Sequence, residues 1–322
     1  MRKVLVVIPT SARGVDLQRI SGVVQNVAQG VRNVNLQPIF IIAHTPKGRR
    51  ALKKKLPSNI GVNFVSVKKK GFGNALIAGI NAGMRKHKPA FVMTIMSDFL
   101  RESEHAGEFL TPLVAENGVD FITGAWRNSS GLEYSRPQYL NETGASMALS
   151  LANPAVQAPP YDAKRPNAAF SKLFREGKVF QTYTGQLGFK ASVWSGLQAQ
   201  LKRTFSGAKE SVGGWGIEPA LLLCALHPEL SLSVANSHFP RGAEHGLVLP
   251  KDAAQHRKSR LNQFDDSMRV IRAYLRATGQ VEKIAHIDGA AALRRRRIKE
   301  ASLYFNHEKA IAEKKGIEFL YR

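Results

Sequence analysis

The sequence predicts an α/β fold: a mostly parallel central sheet flanked by helices, followed by a basic helical C-terminal region. Three observations carry this. Short apolar runs alternate with helical stretches through residues 4–126, the pattern of strands joined by right-handed crossovers. The run AFVMTIM ends just before a lone carboxylate, Asp98, at the strand edge where open α/β sheets bind ligands. Residues 17–97 hold 14 Lys and Arg and no Asp or Glu, so that carboxylate faces concentrated positive charge. Such a site suits a metal together with a phosphorylated ligand.

The elements follow in order. VLVVIP (4–9) is a buried strand ended by Pro9. Leu17, Ile20, Val23, Val24 and Val27 give DLQRISGVVQNVAQGV a helical apolar face. PIFIIA (38–43) and the alternating VNFVSV (62–67) are the next strands. GNALIAGINAGMRKH (73–87) is helical, and AFVMTIM (90–96) is the fourth strand. EFLTPLVAEN reads as a helix and VDFITGAW (119–126) as a strand. Five prolines between 127 and 182 predict loops and short helices over the ligand edge. QLGFKASVWSGL (186–197) predicts a strand leading into a helix, IEPALLLCAL (217–226) a buried helix and LSLSVA (230–235) a late strand. Residues 252–278 and 290–315 predict amphipathic basic helices. The domain boundary is expected at about residue 250, giving domains of 1–250 and 251–322.

The 322 residues carry a net charge of +23, and the excess is spread along the chain rather than held in a tail. Residues 47–70 contain nine Lys and Arg and no acid, and residues 294–297 are four arginines. This field favours a polyanion: nucleic acid, or less favourably an anionic membrane surface. A solvated basic surface is the alternative for the arginine run. No window reaches the roughly 18 consecutive apolar residues of a membrane span. The opening apolar run is too short for a signal peptide. Cys224 is the only cysteine, so intrachain disulfides are excluded and a reducing, cytoplasmic setting is expected (the host cytoplasm if the protein is viral).

Four constellations bear chemistry. In KKKGFGNAL, Gly71 and Gly73 stand between a strand and a helix, where backbone approaches a ligand closely and a helix N-terminus favours anions. It is neither a Walker loop nor a complete dinucleotide fingerprint. Asp98 is either a ligand of Mg²⁺ or Mn²⁺ or a turn or capping residue. GGWGIEPALLL carries Trp215 on a glycine-rich loop and Glu218 at a helix start beside Pro219, as a base or as a capping acid. His238 and His245 follow the late strand, as metal ligands or as solvated side chains.

Taken in order, these segments resemble the GT-A glycosyltransferases, especially family 2 and the glucosylglycerate- and mannosylglycerate-synthase types, over residues 3–250. VVIPT resembles the opening strand and nucleotide-holding loop, and GFGNALIAGINAG the GKGxALxxG segment. MSDFLRESE resembles DADLxHPPE, with Asp98 on the second Asp and Glu104 on the trailing Glu. DFITGAWR, TGQLGFKASVW and GGWGIEPALLL follow in the family's order. The chain departs from the pattern at Met96, in place of the first Asp, at Phe72, in place of the GKG lysine, and at HTP (44–46), where an acid often faces the nucleotide base.

The resemblance implies a nucleotide-sugar-dependent hexosyltransferase, with a UDP-hexose expected over a GDP-sugar, and Mn²⁺ or Mg²⁺. It implies donor contacts from Pro9, Thr10, Arg13, Lys70, Gly71, Gly73 and Ser97, with metal ligation by Asp98 and His245, or His238 in its place. Glu218 with Asp98 is implied as catalytic, and Trp215, Gly216, Gln186 and Arg127 as acceptor contacts. With the charge, it points to a hydroxyl acceptor on a polyanion, such as hydroxymethylated DNA of the phage type. Lipid-linked and small phosphorylated acceptors are the alternatives. From another class, an inactive GT-A fold used as a nucleic-acid-binding module fits Met96. A nucleotidyltransferase finds only a faint echo of its signature in IPTSARG.

Overall fold

Val4 to Ile8 are fully buried, as a strand covered on both faces requires. They form the middle of β1 (Arg2–Thr10) in a computed structural model that describes residues 1–12, 14–127, 136–153, 155, 180–240 and 253–300. Strand β1 pairs in parallel with β2 (Leu36–His44) and with β4 (Phe91–Thr94), and β2 pairs in parallel with β3 (Val62–Ser66). The helices α1 (Gly14–Asn33), α2 (Arg49–Lys55) and α3 (Phe72–His87) connect or precede these strands. Helix α1 buries Ile20, Val23, Val24 and Val27 of the face read from its periodicity, leaves Leu17 half-buried and adds Val31. Helix α3 lies close on β1 because two glycines one turn apart face it. A Cβ at Gly79 would stand 2.5 Å from Val7, and one at Gly83 would stand 2.3 Å from Leu5.

After α4 (Ala106–Val114) come β5 (Phe121–Arg127) and, later, β6 (Leu187–Lys190), which runs antiparallel to both β4 and β5. With β7 (Val234–Pro240) the sheet order is β3-β2-β1-β4-β6-β5-β7. This is the α/β class expected, parallel from β3 through β2 and β1 to β4, with β6 antiparallel to both of its neighbours. The late strand lies further on than LSLSVA predicts: Pro228–Leu230 is a 3-10 turn, Ser231 is left-handed at φ 48°, and pairing begins at Val234.

The chain divides into two compact units, Met1–Ala125 with Thr184–Phe239, and Trp126–Tyr183 with Pro240–Arg322. The first holds the sheet together with α6 (Trp194–Thr204), α7 (Lys209–Gly213) and α8 (Ile217–Ala225). The second contains α5 (Arg136–Ala152), α9 (Ala253–Ala277) and α10 (Glu282–Glu300). Helix α5 corrects the expectation of short helices after residue 127. Its 17 residues include buried Asn141, Thr143, Ser146 and Ser150, whose polarity reads as loop. They hydrogen-bond within this unit: the Asn141 amide nitrogen donates to Gln263 at 3.1 Å, and the Ser150 hydroxyl to the Ser146 carbonyl at 2.9 Å. The last helix begins at Glu282 rather than 290, and residues 301–315 of that expectation lie outside the described residues. No described helix is long and apolar enough to cross a membrane. Cys224 is buried in α8, and burial pushes its thiol far up from the usual range.

One ionic clamp ties the start of β5 to the approach to β7. The Ser233 N–H and hydroxyl donate to Asp120 Oδ2 at 3.0 and 2.9 Å, and Lys190 Nζ donates to Oδ1 at 3.0 Å. Burial works to raise the Asp120 pKa. The Ser233 N–H, the Lys190 ammonium and the Ser233 hydroxyl outweigh it and hold the carboxyl below its usual value. A depressed carboxylate stabilises the fold above its unfolded pKa and loses that contribution as pH falls through the folded one. Asp120→Asn is therefore expected to cost about 0.5–1 kcal/mol at neutral pH, allowing for solvent screening. In urea titrations the difference from wild type should shrink as pH falls below about 4; a difference as large at pH 3 as at about pH 7 would assign it to packing.

Candidate functional site

The parallel strands β1, β2, β3 and β4 end at a cavity of about 570 Å³. It lies outside their C-terminal ends, and β1 has β2 on one side and β4 on the other, the switch point where such sheets bind ligands. Pro9, Thr10 and Ser11 line it at the end of β1, His44 and Thr45 at the end of β2, and Val67, Lys69, Lys70 and Gly71 after β3, with Phe72 and Ala75 from the start of α3. Met96 and Ser97 line it after β4, and Trp215 joins them from the loop before α8. The volume suits a ligand of nucleotide size.

The walls are held by identifiable contacts. Asp16, in the first turn of α1, takes the Ser11 N–H at 2.8 Å and the Thr10 hydroxyl at 3.2 Å, so the loop after β1 folds back onto its helix. His44 is 1% exposed, and its Nδ1 donates to the Thr45 carbonyl at 2.5 Å. Nε2 is buried and has no hydrogen-bond partner.

The glycine segment and the Trp segment, about 140 residues apart, are latched together. The Gly73 N–H donates to the Gly214 carbonyl at 3.0 Å. Phe72 stacks on Trp215 with centroids 5.0 Å apart and an interplanar angle of 19°. Gly71 has φ 129°, and a Cβ there would stand 2.1 Å from the Gly213 oxygen; at Gly73 it would stand 1.9 Å from the Val212 oxygen. Both glycines are thus required by close approach and not only by loop flexibility.

No family model matches the sequence, and no curated protein matches it. Solved structures similar to this chain include glucosyl-3-phosphoglycerate synthase from Mycobacterium tuberculosis in complex with uridine diphosphate. The TM-score is 0.47 at 16% identity, over 83% of this chain and 80% of that one. The same synthase in complex with Mn²⁺ and UDP-glucose gives 0.47 at 17% identity, over 86% and 79%. A mannosyltransferase from Pyrobaculum calidifontis in complex with GDP-mannose and Mn²⁺ gives 0.40 at 12%, over 96% and 80%. Identities below 20% and TM-scores below 0.5 mark these as remote likenesses.

Of the residues singled out from the sequence, Pro9, Thr10, Lys70, Gly71, Ser97 and Trp215 line this one cavity. Trp215, expected on the acceptor side, shares the wall with Lys70 and Gly71. Gly73 sits just behind it in the latch. Asp98 lies in the turn after Ser97, four residues past the end of β4, and is not itself among the lining residues. Its carbonyl accepts from the Leu100 N–H at 3.0 Å and from Arg19 Nη1 at 3.3 Å. Glu218 is 5% exposed in the first turn of α8, behind Gly216 at its N-cap. Pro219 is the third residue of that helix, where its missing N–H breaks no intrahelical bond. Gln186 is fully buried just before β6, and neither polar atom of its amide has a hydrogen-bond partner among the described residues. Arg13 and His245 lie outside the described residues, as do the side chains of Arg127 and His238.

Among the described residues no three His, Cys, Asp or Glu gather into a metal-binding group. Asp98 offers a single hard carboxylate arm, which fits Mg²⁺ or Mn²⁺ bound chiefly through a ligand's phosphates. Sequence reasoning missed Asp16 as a wall residue, and it named His44 only as a departure, within HTP, from the related motif. Asp16 carried a signal, an acid in a helix's first turn just after a strand-end loop. For His44 the signal was its place in HTP, after the second strand.

Proposed function

We propose that this cavity binds a nucleotide-sugar and that the chain is a glycosyltransferase moving a hexose to a hydroxyl acceptor. The observation that supports it most is the meeting of the Thr10–Ser11 loop, Lys69–Gly71, Ser97 and Trp215 at one nucleotide-sized cavity, with Asp98 one residue behind the wall. The ammonium groups of Lys69 and Lys70 and the N-terminus of α3 place positive potential where a diphosphate would lie. Phe72 and Trp215 provide an aromatic wall. A divalent cation, Mn²⁺ or Mg²⁺, would be held by Asp98 and the donor phosphates, and when bound it offsets charge on the departing nucleoside diphosphate.

Glu218 takes the role of orienting or deprotonating the acceptor hydroxyl; as a base it goes with inversion at the anomeric carbon. Gln186 and Arg127 belong to the acceptor side in this reading. The donor is proposed as a UDP-hexose and the acceptor as a hydroxyl on a polyanion such as hydroxymethylated DNA, which the net charge of +23 favours. Such a target base must leave the stack to reach the cavity.

Incubating the protein with UDP- and GDP-hexoses and Mn²⁺ tests the reading. Calorimetric binding of one donor and its slow hydrolysis are expected. Neither binding nor hydrolysis with any donor would sink it. Met96 on the cavity wall, where the related motif carries an acid, favours one second reading: a non-catalytic nucleic-acid-binding module. Nucleic-acid binding without donor binding would decide for it.

A further inference from the structure

We infer that the basic corner of residues 47–70 is a binding track for the phosphate backbone of a nucleic acid, leading into the cavity. It rests on the transferase reading in one respect: the track delivers an acceptor polymer to the donor.

All nine Lys and Arg of this segment are exposed, and none forms an ion pair among the described residues. The arginine run that looks more basic in sequence is half neutralised by ion pairs. Arg294 donates to the Thr143 hydroxyl at 3.5 Å, Arg295 pairs with Asp265 at 3.0 Å and Arg296 with Glu300 at 2.8 Å. Unneutralised charge is what releases counterions from a polyanion, so the corner outranks the run.

The corner is also built rather than frayed. Strands β2 and β3 are parallel neighbours in register, His44 opposite Ser66, so the chain leaves both at the same sheet edge. The Val67 N–H extends the pairing to the His44 carbonyl at 2.9 Å, which fixes where Lys68 to Lys70 begin. Lys69 and Lys70 then line the cavity. On the β2 side, buried Leu52 anchors α2, and the Arg49 guanidinium lies 5.8 Å over the Phe64 ring. Lys53 to Lys55 close that helix about 10 Å from its start, a reach of several phosphates along a duplex.

A nucleic acid fits this surface better than a bilayer does. The exposed large apolar residues described are Met1, Val281 and Leu293, and none lies in the corner. An interfacial helix needs an apolar face to insert, and α2 buries its only leucine. The track instead ends at the stacked pair Phe72 and Trp215, a platform suited to an unstacked base.

The test uses a fluorescent DNA duplex without donor, titrated over a range of salt concentrations. The triple variant Lys53→Ala, Lys54→Ala, Lys55→Ala is expected to bind at least tenfold more weakly at low salt. Its slope of log affinity against log salt should be shallower by about 2–3, the share of three phosphate contacts. The control triple Arg295→Ala, Arg296→Ala, Arg297→Ala is expected to keep most of the slope. An unchanged slope in the lysine variant, an equal loss in the control, or binding only to phosphatidylserine vesicles overturns the track. UDP binding to the wild-type protein is measured separately, so a failed track and a failed donor site are told apart.

Discussion

Asp98→Asn is expected to lower sugar transfer by about 10²–10³-fold, the equivalent of roughly 3–4 kcal/mol of transition-state stabilisation. The exchange keeps the shape of the side chain and removes its charge. The surrounding turn is held through the Asp98 carbonyl, by the Leu100 N–H and Arg19, so the backbone should stay in place. A carboxylate directly behind a wall that receives a diphosphate would repel it; a cation between the two reverses the sign. The variant should therefore fail in a particular way. Calorimetric UDP binding should lose its dependence on Mn²⁺, with kcat falling more than KM rises. Full transfer by Asp98→Asn would reduce the residue to a turn former and remove it from the site.

Gly73→Ala should show the largest structural effect. Its Cβ would stand 1.9 Å from the Val212 oxygen, 2.9 Å from the Ile217 Cβ and 3.0 Å from the Gly214 oxygen. Two of these three atoms are backbone, so no side-chain rotamer relieves the clash. The loop bearing Trp215 must move away, which breaks the Gly73–Gly214 hydrogen bond and the Phe72–Trp215 stack. A loss of about 2–3 kcal/mol is expected, a Tm lower by roughly 5–10 °C in calorimetry. Donor affinity should fall with it, since the displaced loop is part of the cavity wall. Gly207→Ala is the matched control: a Cβ there meets nothing within 4 Å. Equal effects at both positions would mean that the latch has no special standing.

The parallel half of the sheet was legible because its strands are buried on both faces. VLVVIP and PIFIIA can be little else, and the spacing of Ile20, Val23, Val24 and Val27 admits one helix face. Helix α5 was not legible. The prolines of the surrounding stretch and its own hydroxyl-bearing residues suggest loop, and its buried Asn141 finds its partner in Gln263, more than 100 residues away. The same limit hid the fate of the arginine run. Four consecutive cations look free in sequence, yet the acid that meets Arg295 is Asp265, on another helix.

At the site, the sequence alone determined the α/β class, the edge at which a ligand would bind, and the position of Asp98 at that edge. These follow from local periodicity and from where a strand must stop, both contained in a short window. Only the tertiary structure decided that KKKGFG and GGWG form one wall, that Asp16 belongs to it, and which basic surface stays unneutralised. Each is a meeting of distant segments. Close backbone approach and ion pairing depend on distances across the fold, and those are set only when the sheet and its helices have packed.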